Sequence, residues 1–305
     1  MFAALFPGQG SQQVGMGRAF YEGSSAAREV LDRAEATLPG LLALMWEGPE
    51  ETLQLTENQQ PALLAVSAAA WAAWREAGGS APDSAAGHSL GEWSAHVAAG
   101  TLELEDALRL VRKRGQYMQE AVPEGRGAMA AILKLDPERV AEVVANVEGV
   151  EVANLNSPAQ VVISGTKEAV DEAARAFKAL RARVVPLKVS APFHSSLMEP
   201  ARVALARDLA EVTLRPPRFP VFSNVTAEPE TDPEHIRALL LEQITSPVRW
   251  VEILERMRAR GVGTFVELGS GNVLTGLVKR TIPDARALSV EDPEGLRAAL
   301  VEVVS

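Results

Sequence analysis

The stretch Gly87-His88-Ser89-Leu90-Gly91 sets a serine between two glycines in the order Gly-x-Ser-x-Gly. That spacing suits a nucleophile on a sharp strand-to-helix turn. The glycines accept the strained backbone and keep bulk away from the hydroxyl. A helix that starts at the serine aims its first N–H groups at the site, where a developing oxyanion would sit. The alternative is a glycine-flanked turn in which Ser89 only caps a helix.

A serine hydroxyl is a weak nucleophile at neutral pH and needs a base. Four histidines are available. His88 adjoins Ser89, so its side chain points away from it. His96 lies seven residues on in the same helix, roughly 10 Å along the axis. His235, in "TDPEHIRALL", falls in the first turns of a helix capped by Thr231 or Asp232 and reads as a surface residue. His194, in "SAPFHSSLMEP", remains. It follows a strand end and a proline turn. It precedes Ser196, whose spacing to Glu199 is that of a capping box. A place just before a helix N-terminus favours the neutral imidazole that a base requires. No acidic residue between Ser89 and His194 stands out as the third member of a hydrolase triad, so a Ser–His dyad is the expectation.

In "EDALRLVRKRGQYMQE" the helical period gathers Leu104, Ala107, Leu108, Val111 and Met118 on one stripe. Lys113 points opposite, to solvent. Arg114 falls at the stripe's edge. A guanidinium there would hold a carboxylate through two parallel hydrogen bonds; the ordinary alternative is a snorkelling arginine or an internal ion pair. Two glycine-rich turns invite a dinucleotide reading and fail it. "FPGQGSQQVGMG" has Gln13 where the third glycine belongs, and Gly269-Ser270-Gly271 fails at Leu274. There is no phosphate-binding Gly-x-x-x-x-Gly-Lys run. Both turns read better as backbone N–H donors near a sheet's carboxyl edge.

These groups need elements to position them. "FAALF" (Phe2–Phe6) is a continuous apolar run stopped by Pro-Gly, the pattern of a buried strand. Helical patterns run from Arg18 to Leu38, Gln59 to Ala77 and Leu104 to Glu120. "DSAAG" is a short strand entering the Ser89 turn, and "SLGEWSAHVAAG" is the helix leaving it, ended by Gly100. Strands alternating with helices predict a parallel sheet covered on both faces. From Gly125 to Val189 the rhythm changes. "GAMAAILKL" is a strand and "DPERVAEVVANV" a helix with Asp136 as its cap. "VEVANLN" and "AQVVISG" are strands, "TKEAVDEAARAFKAL" is a helix capped by Thr166, and "ARVVPLKV" is a strand. The order β-α-β-β-α-β is that of a ferredoxin-like unit. The larger pattern then resumes with the helix "LMEPARVALARDLAEV", the strand "PVFSNV", the helix "VRWVEILERMRARG", the strand "TFVELGSG" and the helix "NVLTGLVKR". The expectation is an α/β chain: a parallel-sheet large domain from 1–124 and 190–305, with a ferredoxin-like subdomain inserted at 125–189.

The bulk composition narrows the classes. The chain has 305 residues, 47% of them hydrophobic, enough for a large core. It has no cysteine, which excludes disulfides, thiolate metal sites and a cysteine nucleophile, and is compatible with the cytoplasm. A net charge of −10 argues against a nucleic-acid footprint. The N-terminus lacks a basic segment and is broken by Pro7-Gly8, so it does not read as a signal peptide. The longest apolar run, "PALLAVSAAAWAAW", is too short to span a bilayer.

Six blocks, in one order, resemble the malonyl-CoA:acyl carrier protein transacylase family: "FPGQGSQQVGMG", "GHSLGEW", "RGQYMQEAVPEGRGAMAAI", "NSPAQVVISG", "APFHSSLM" and "VELGSGNVLTGLVKR". The resemblance covers nearly the whole chain. It implies an α/β-hydrolase-like large domain with the inserted ferredoxin-like subdomain. It implies Ser89 as nucleophile, His194 as base, Arg114 as the clamp on the malonyl carboxylate, and the Gln9 and Leu90 amides as oxyanion hole. It further implies that a main-chain carbonyl, that of Gln243, orients the histidine in place of an acid. Phe193 stands where malonyl-selective relatives carry phenylalanine. The implied partners are malonyl-CoA and an acyl carrier protein. CoA and phosphopantetheine thioesters are the substrates, no cofactor or metal is bound, and the enzyme is a monomer. Carrier proteins are acidic as a class, so an acidic chain needs a local basic patch to dock one; Lys188, Lys279 and Arg280 are the candidates. A serine esterase or thioesterase on the same core, a non-catalytic docking module and a polyketide-pathway acyltransferase are the competing readings.

Overall fold

The computed structural model describes residues 1–189 and 191–304. Its first strand (β1, Phe2–Phe6) sits in the middle of a six-stranded sheet. The apolar run explains that place, because the strand buries both faces: Phe2, Ala4 and Phe6 enter one core, Ala3 and Leu5 the other. A strand that enters the Ser89 turn (β2, Ser84–Gly87) pairs with β1 in parallel, Leu5 opposite Ala86. Four further strands then form a separate sheet: β3 (Gly127–Leu133), β4 (Val150–Ser157), β5 (Gln160–Thr166) and β6 (Arg183–Pro186). The chain returns to the first sheet with β7 (Val221–Phe222), β8 (Pro229–Glu230), β9 (Thr264–Leu268) and β10 (Arg286–Val290).

The large sheet runs β10-β9-β1-β2-β7-β8 and is parallel except for the β7–β8 pair. One face is covered by helices including Thr56–Glu76, Leu90–Ala99 and Leu104–Glu120. The other packs on the helices Trp250–Ala259 and Val273–Thr281. The small sheet is antiparallel in the order β4-β5-β3-β6, with the helices Pro137–Val144 and Lys167–Ala179 on one face. Thr166 caps the second of these through Oγ1, which accepts from the Ala169 N–H at 3.2 Å. The opposite face, with Met129, Ala131 and Val162, joins the core of the large sheet.

The two sheets are stitched at β4. The Leu155 N–H donates to the Val248 carbonyl and the Val248 N–H to the Ala153 carbonyl, each at 2.9 Å. Glu151, also on β4, accepts from the Ser196 N–H at 3.1 Å and from its hydroxyl.

The structure corrects several local expectations. The pattern from Arg18 to Leu38 is two helices, Arg18–Gly23 and Ser25–Thr37, because Ser24 turns extended and its hydroxyl accepts from the Ala27 N–H. The next long helix starts at Thr56 and tolerates Pro61 in its second turn. Asp136 stands at the N-cap but makes no capping bond. Ser196 and Glu199 form no capping box: Ser196 is taken by Glu151, and Glu199 pairs with Arg202. Lys113 meets Asp208 instead of pointing to solvent alone. The last strand of the small sheet spans only Arg183–Pro186, with one further hydrogen bond from the Leu187 N–H to the Met129 carbonyl at 3.0 Å. β10 and the helix Pro293–Val304 extend the large sheet beyond the elements read from the sequence. Residue 190, where the second part of the large domain is expected to resume, lies outside the described residues.

Candidate active site

β2 ends in Gly87, and the helix Leu90–Ala99 begins three residues later. Ser89 joins them with φ 51° and ψ −106°, a conformation that a residue with a Cβ rarely adopts. The flanking glycines make it possible. A Cβ on Gly87 would collide with the backbone of Gly91, and one on Gly91 would collide with the Phe6 carbonyl. The turn is held from behind by Asn224: its Oδ1 accepts from the Ser89 N–H at 2.7 Å, and its Nδ2 donates to the Gly87 carbonyl at 2.8 Å.

Ser89 Oγ lies 2.8 Å from His194 Nε2. His194 also has a positive φ, 57°, so both partners sit on strained backbone. Its Nδ1 faces two main-chain carbonyls, Gln243 at 2.9 Å and Ser246 at 3.2 Å. Two acceptors there place the proton on Nδ1 and leave Nε2 free to accept from the serine. Burial, and then the nearby Arg114 charge, push the imidazole down to about 3, so it is neutral at ordinary pH.

Arg114 is 1% exposed. Its Nη1 donates to Gln60 Oε1 at 2.8 Å, and its Nη2 donates to Gln243 Oε1 at 3.0 Å and to Ser89 Oγ at 3.1 Å. Burial lowers it to about 10, still far above neutrality. No carboxylate among the described residues forms a direct ion pair with it. The helix Leu104–Glu120 explains its position: its stripe of Leu104, Ala107, Leu108, Val111 and Met118 is buried, and Arg114 follows that stripe inward.

These groups open on a cleft of about 750 Å³ between the two sheets. Gln9, Leu90 and Phe193 line it beside Ser89, Arg114 and His194; Met129, Asn154, Leu187, Lys188 and Val189 supply the small-sheet wall. The Gln9 and Leu90 N–H groups have no hydrogen-bond partner among the described residues, whereas the Ser89 N–H is taken by Asn224. Every residue expected at the site therefore comes together. Not expected were Gln60 as a partner of Arg114, Asn224 behind the Ser89 turn, the Ser246 carbonyl at His194, and a double role for Gln243, whose carbonyl meets His194 while its side chain meets Arg114.

The other histidines sit elsewhere. His88 Nε2 lies 2.7 Å from Asn156 Oδ1, and its ring packs on Trp250. His96 is buried, with Nδ1 3.3 Å from Thr101 Oγ1. His235 is exposed, its N–H donating to the capping Asp232 and its Nδ1 2.9 Å from Glu230. Of the docking candidates, Lys188 lines the main cleft. Arg280 donates to Gln160 at 3.0 Å and lines a side pocket with Gln9 and His88, and Lys279 is exposed beside it. No group of three or more histidines and carboxylates among the described residues could hold a metal ion, and no helix among them is long and apolar enough to cross a membrane.

A nucleophile turn of this kind on a parallel sheet is an acyl-transfer layout. The chain belongs to the acyl transferase family, whose "Acyl transferase domain" model matches residues 4–296. A malonyl CoA-acyl carrier protein transacylase of Bacillus subtilis is 48% identical over 304 residues, covering 98% of this chain and 96% of that one. The transacylase of the same name from Escherichia coli K12 is 47% identical, with 98% of each covered. Among solved structures, an acyl carrier protein S-malonyltransferase from Vibrio cholerae superposes with a TM-score of 0.96 at 45% identity, covering 98% of this chain and 99% of that one. A malonyl-transacylase in complex with a type II PKS acyl-carrier protein superposes with a TM-score of 0.96 at 46% identity, with 99% of each covered.

Proposed function

We propose that the protein moves a malonyl group from malonyl-CoA to the phosphopantetheine thiol of an acyl carrier protein, by way of an ester on Ser89. The observation that carries this is the sharing of one oxygen: Ser89 Oγ meets a neutral imidazole at 2.8 Å and a buried guanidinium at 3.1 Å. The first can take the serine's proton. The second can hold the free carboxylate of a three-carbon diacid whose other end is the thioester.

Ser89 Oγ attacks the thioester carbon as its proton passes to His194 Nε2. The developing oxyanion meets the Gln9 and Leu90 N–H groups, each such donor contributing about 3 kcal/mol. The C–S bond breaks, and His194 returns the proton to the departing CoA sulfur. The carrier's thiol then repeats the steps in reverse, giving ping-pong kinetics. The Gln243 and Ser246 carbonyls stabilise the imidazolium as it forms, the role an acid plays in a triad. Phe193 and the apolar small-sheet residues wall the cleft. The lobe 125–189, set between 1–124 and 190–305, supplies that wall.

The names of the relatives support malonyl as the acyl group and an acyl carrier protein as acceptor; fatty-acid synthesis as the setting and the cytoplasm as the place extend that reading. A polyketide carrier is the second reading, favoured by the relative solved with a type II PKS carrier. The route calls on no cofactor. Intact mass after incubation with malonyl-CoA tests it: a malonyl adduct on the wild type that is absent from Ser89→Ala is expected. An adduct persisting in the variant removes Ser89 from the role, and malonate released to water in place of transfer makes the enzyme a thioesterase.

A further inference from the structure

Behind the nucleophile turn lies a buried carboxyl that the steps above do not use. Glu92 stands in the first turn of the helix Leu90–Ala99 and is 1% exposed. Its Oε2 accepts from Gln243 Nε2 at 2.6 Å and from the Asn224 N–H at 3.0 Å. Gln243 Nε2 also donates to the Ser89 carbonyl at 3.0 Å. Asn224 Oδ1 lies 3.4 Å from the same nitrogen; with three acceptors around it, Glu92 the nearest, the Gln243 amide has one orientation open to it. That orientation turns Oε1 toward Arg114 Nη2. The flipped amide would set its NH2 against the guanidinium, donor against donor, and its oxygen against the Glu92 oxygen.

We propose that Glu92 is a positioning residue for Arg114: by accepting from the Gln243 amide it fixes which end of that amide the guanidinium meets, and so holds the guanidinium ready for the acyl carboxylate. The inference rests on the malonyl-transfer reading and names a residue behind its selectivity. The role belongs to an acceptor oxygen and needs no charge. Burial raises the Glu92 carboxyl to about 8, against the pull of the Asn224 and Gln243 hydrogen bonds and the Arg114 charge, and the acid form still accepts.

The test compares kcat/KM for Ser89 acylation by malonyl-CoA and by acetyl-CoA, corrected for active enzyme by titration. Glu92→Gln keeps an oxygen that the two donors can address. Its malonyl-over-acetyl ratio should stay within about threefold of wild type. Glu92→Met keeps the length and loses the acceptor. Its ratio should fall about tenfold or more, through malonyl-CoA alone. Three results with Glu92→Met overturn the proposal: an unchanged ratio, an equal loss with both substrates, or failure to yield folded protein, which would make Glu92 a folding residue. A collapsed ratio in Glu92→Gln overturns it too, by showing that charge is what matters. The wild type is scored first: absence of any malonyl adduct on it refutes the parent reading, whereas a loaded wild type with an unaltered Glu92→Met refutes only this one.

Discussion

Arg114 Nη2 donates to Ser89 Oγ at 3.1 Å, so the buried cation and the proposed nucleophile are hydrogen-bonded to one another. A hydroxyl that accepts from a guanidinium has its own hydrogen left to give, and His194 Nε2 lies 2.8 Å away to receive it. One contact thereby orients the Ser89 hydroxyl and stations a buried cation beside it. Under the malonyl-transfer reading, an acyl carboxylate that engages Arg114 is brought to the oxygen to be acylated.

Arg114→Ala should reduce kcat/KM for malonyl-CoA by about a hundredfold or more, with little change for acetyl-CoA, because only the diacid loses a charged partner. Arg114→Lys should recover only part, since an ammonium lacks the planar fork. Steady-state acylation with both thioesters checks this; a malonyl preference that survives in Arg114→Ala removes the clamp.

Ser89→Gly should be more stable than the wild type while taking no acyl group. The φ of 51° at Ser89 is strained for serine and open to glycine, a difference of about 1 kcal/mol. Thermal melting of the two proteins checks it. An equal or lower Tm would mean that the turn stores no strain.

His96 should tie stability to pH. Burial lowers it from 6.5 to about 3, so it folds neutral. Below pH 6.5 the unfolded chain takes up a proton that the folded one refuses, and stability falls as pH falls. The slope from this group approaches about 1.4 kcal/mol per pH unit. Urea unfolding at neutral pH and near pH 5 should show a steeper loss in wild type than in His96→Gln. Equal slopes would count against a neutral buried imidazole. His194, lowered to about 3 as well, should leave the acylation kcat/KM without a limb near 6.5.

Arg280→Glu should raise KM for the carrier several-fold, most at low salt, and leave malonyl-CoA acylation alone. Arg280 reaches Gln160 of β5 from the helix Val273–Thr281, at the edge of a pocket beside the cleft. Kinetics of the second half-reaction at two ionic strengths checks it. A matching change in the first half-reaction would point to the thioester and away from the carrier surface.

What could be read from the sequence was what is local. Gly87, Ser89 and Gly91 declare their turn within five residues, and the stripe beside Arg114 declares itself within one helix. His194 emerged because so few histidines compete. The supports of the site are long-range and left no local trace: Asn224 reaches Ser89 across 135 residues and Gln243 reaches Glu92 across 151. Nothing in the sequence around Gln60 marks it as the partner of an arginine 54 residues away. The break at Ser24 was hidden because residues on both sides of it carry helical periodicity. The capping box at Ser196 failed because Glu151, remote in sequence, offered its hydroxyl a better acceptor.

The stitching at β4 bears on how thioesters can come and go. Glu151 grips the chain two residues beyond His194, and the Val248 bridge grips the chain five residues beyond the Gln243 carbonyl that His194 faces. The small sheet is thus tied to the chain just past His194 and just past the Gln243 carbonyl. Under the malonyl-transfer reading, a long slender tether such as a pantetheine arm has the shape to reach the cleft without parting those ties.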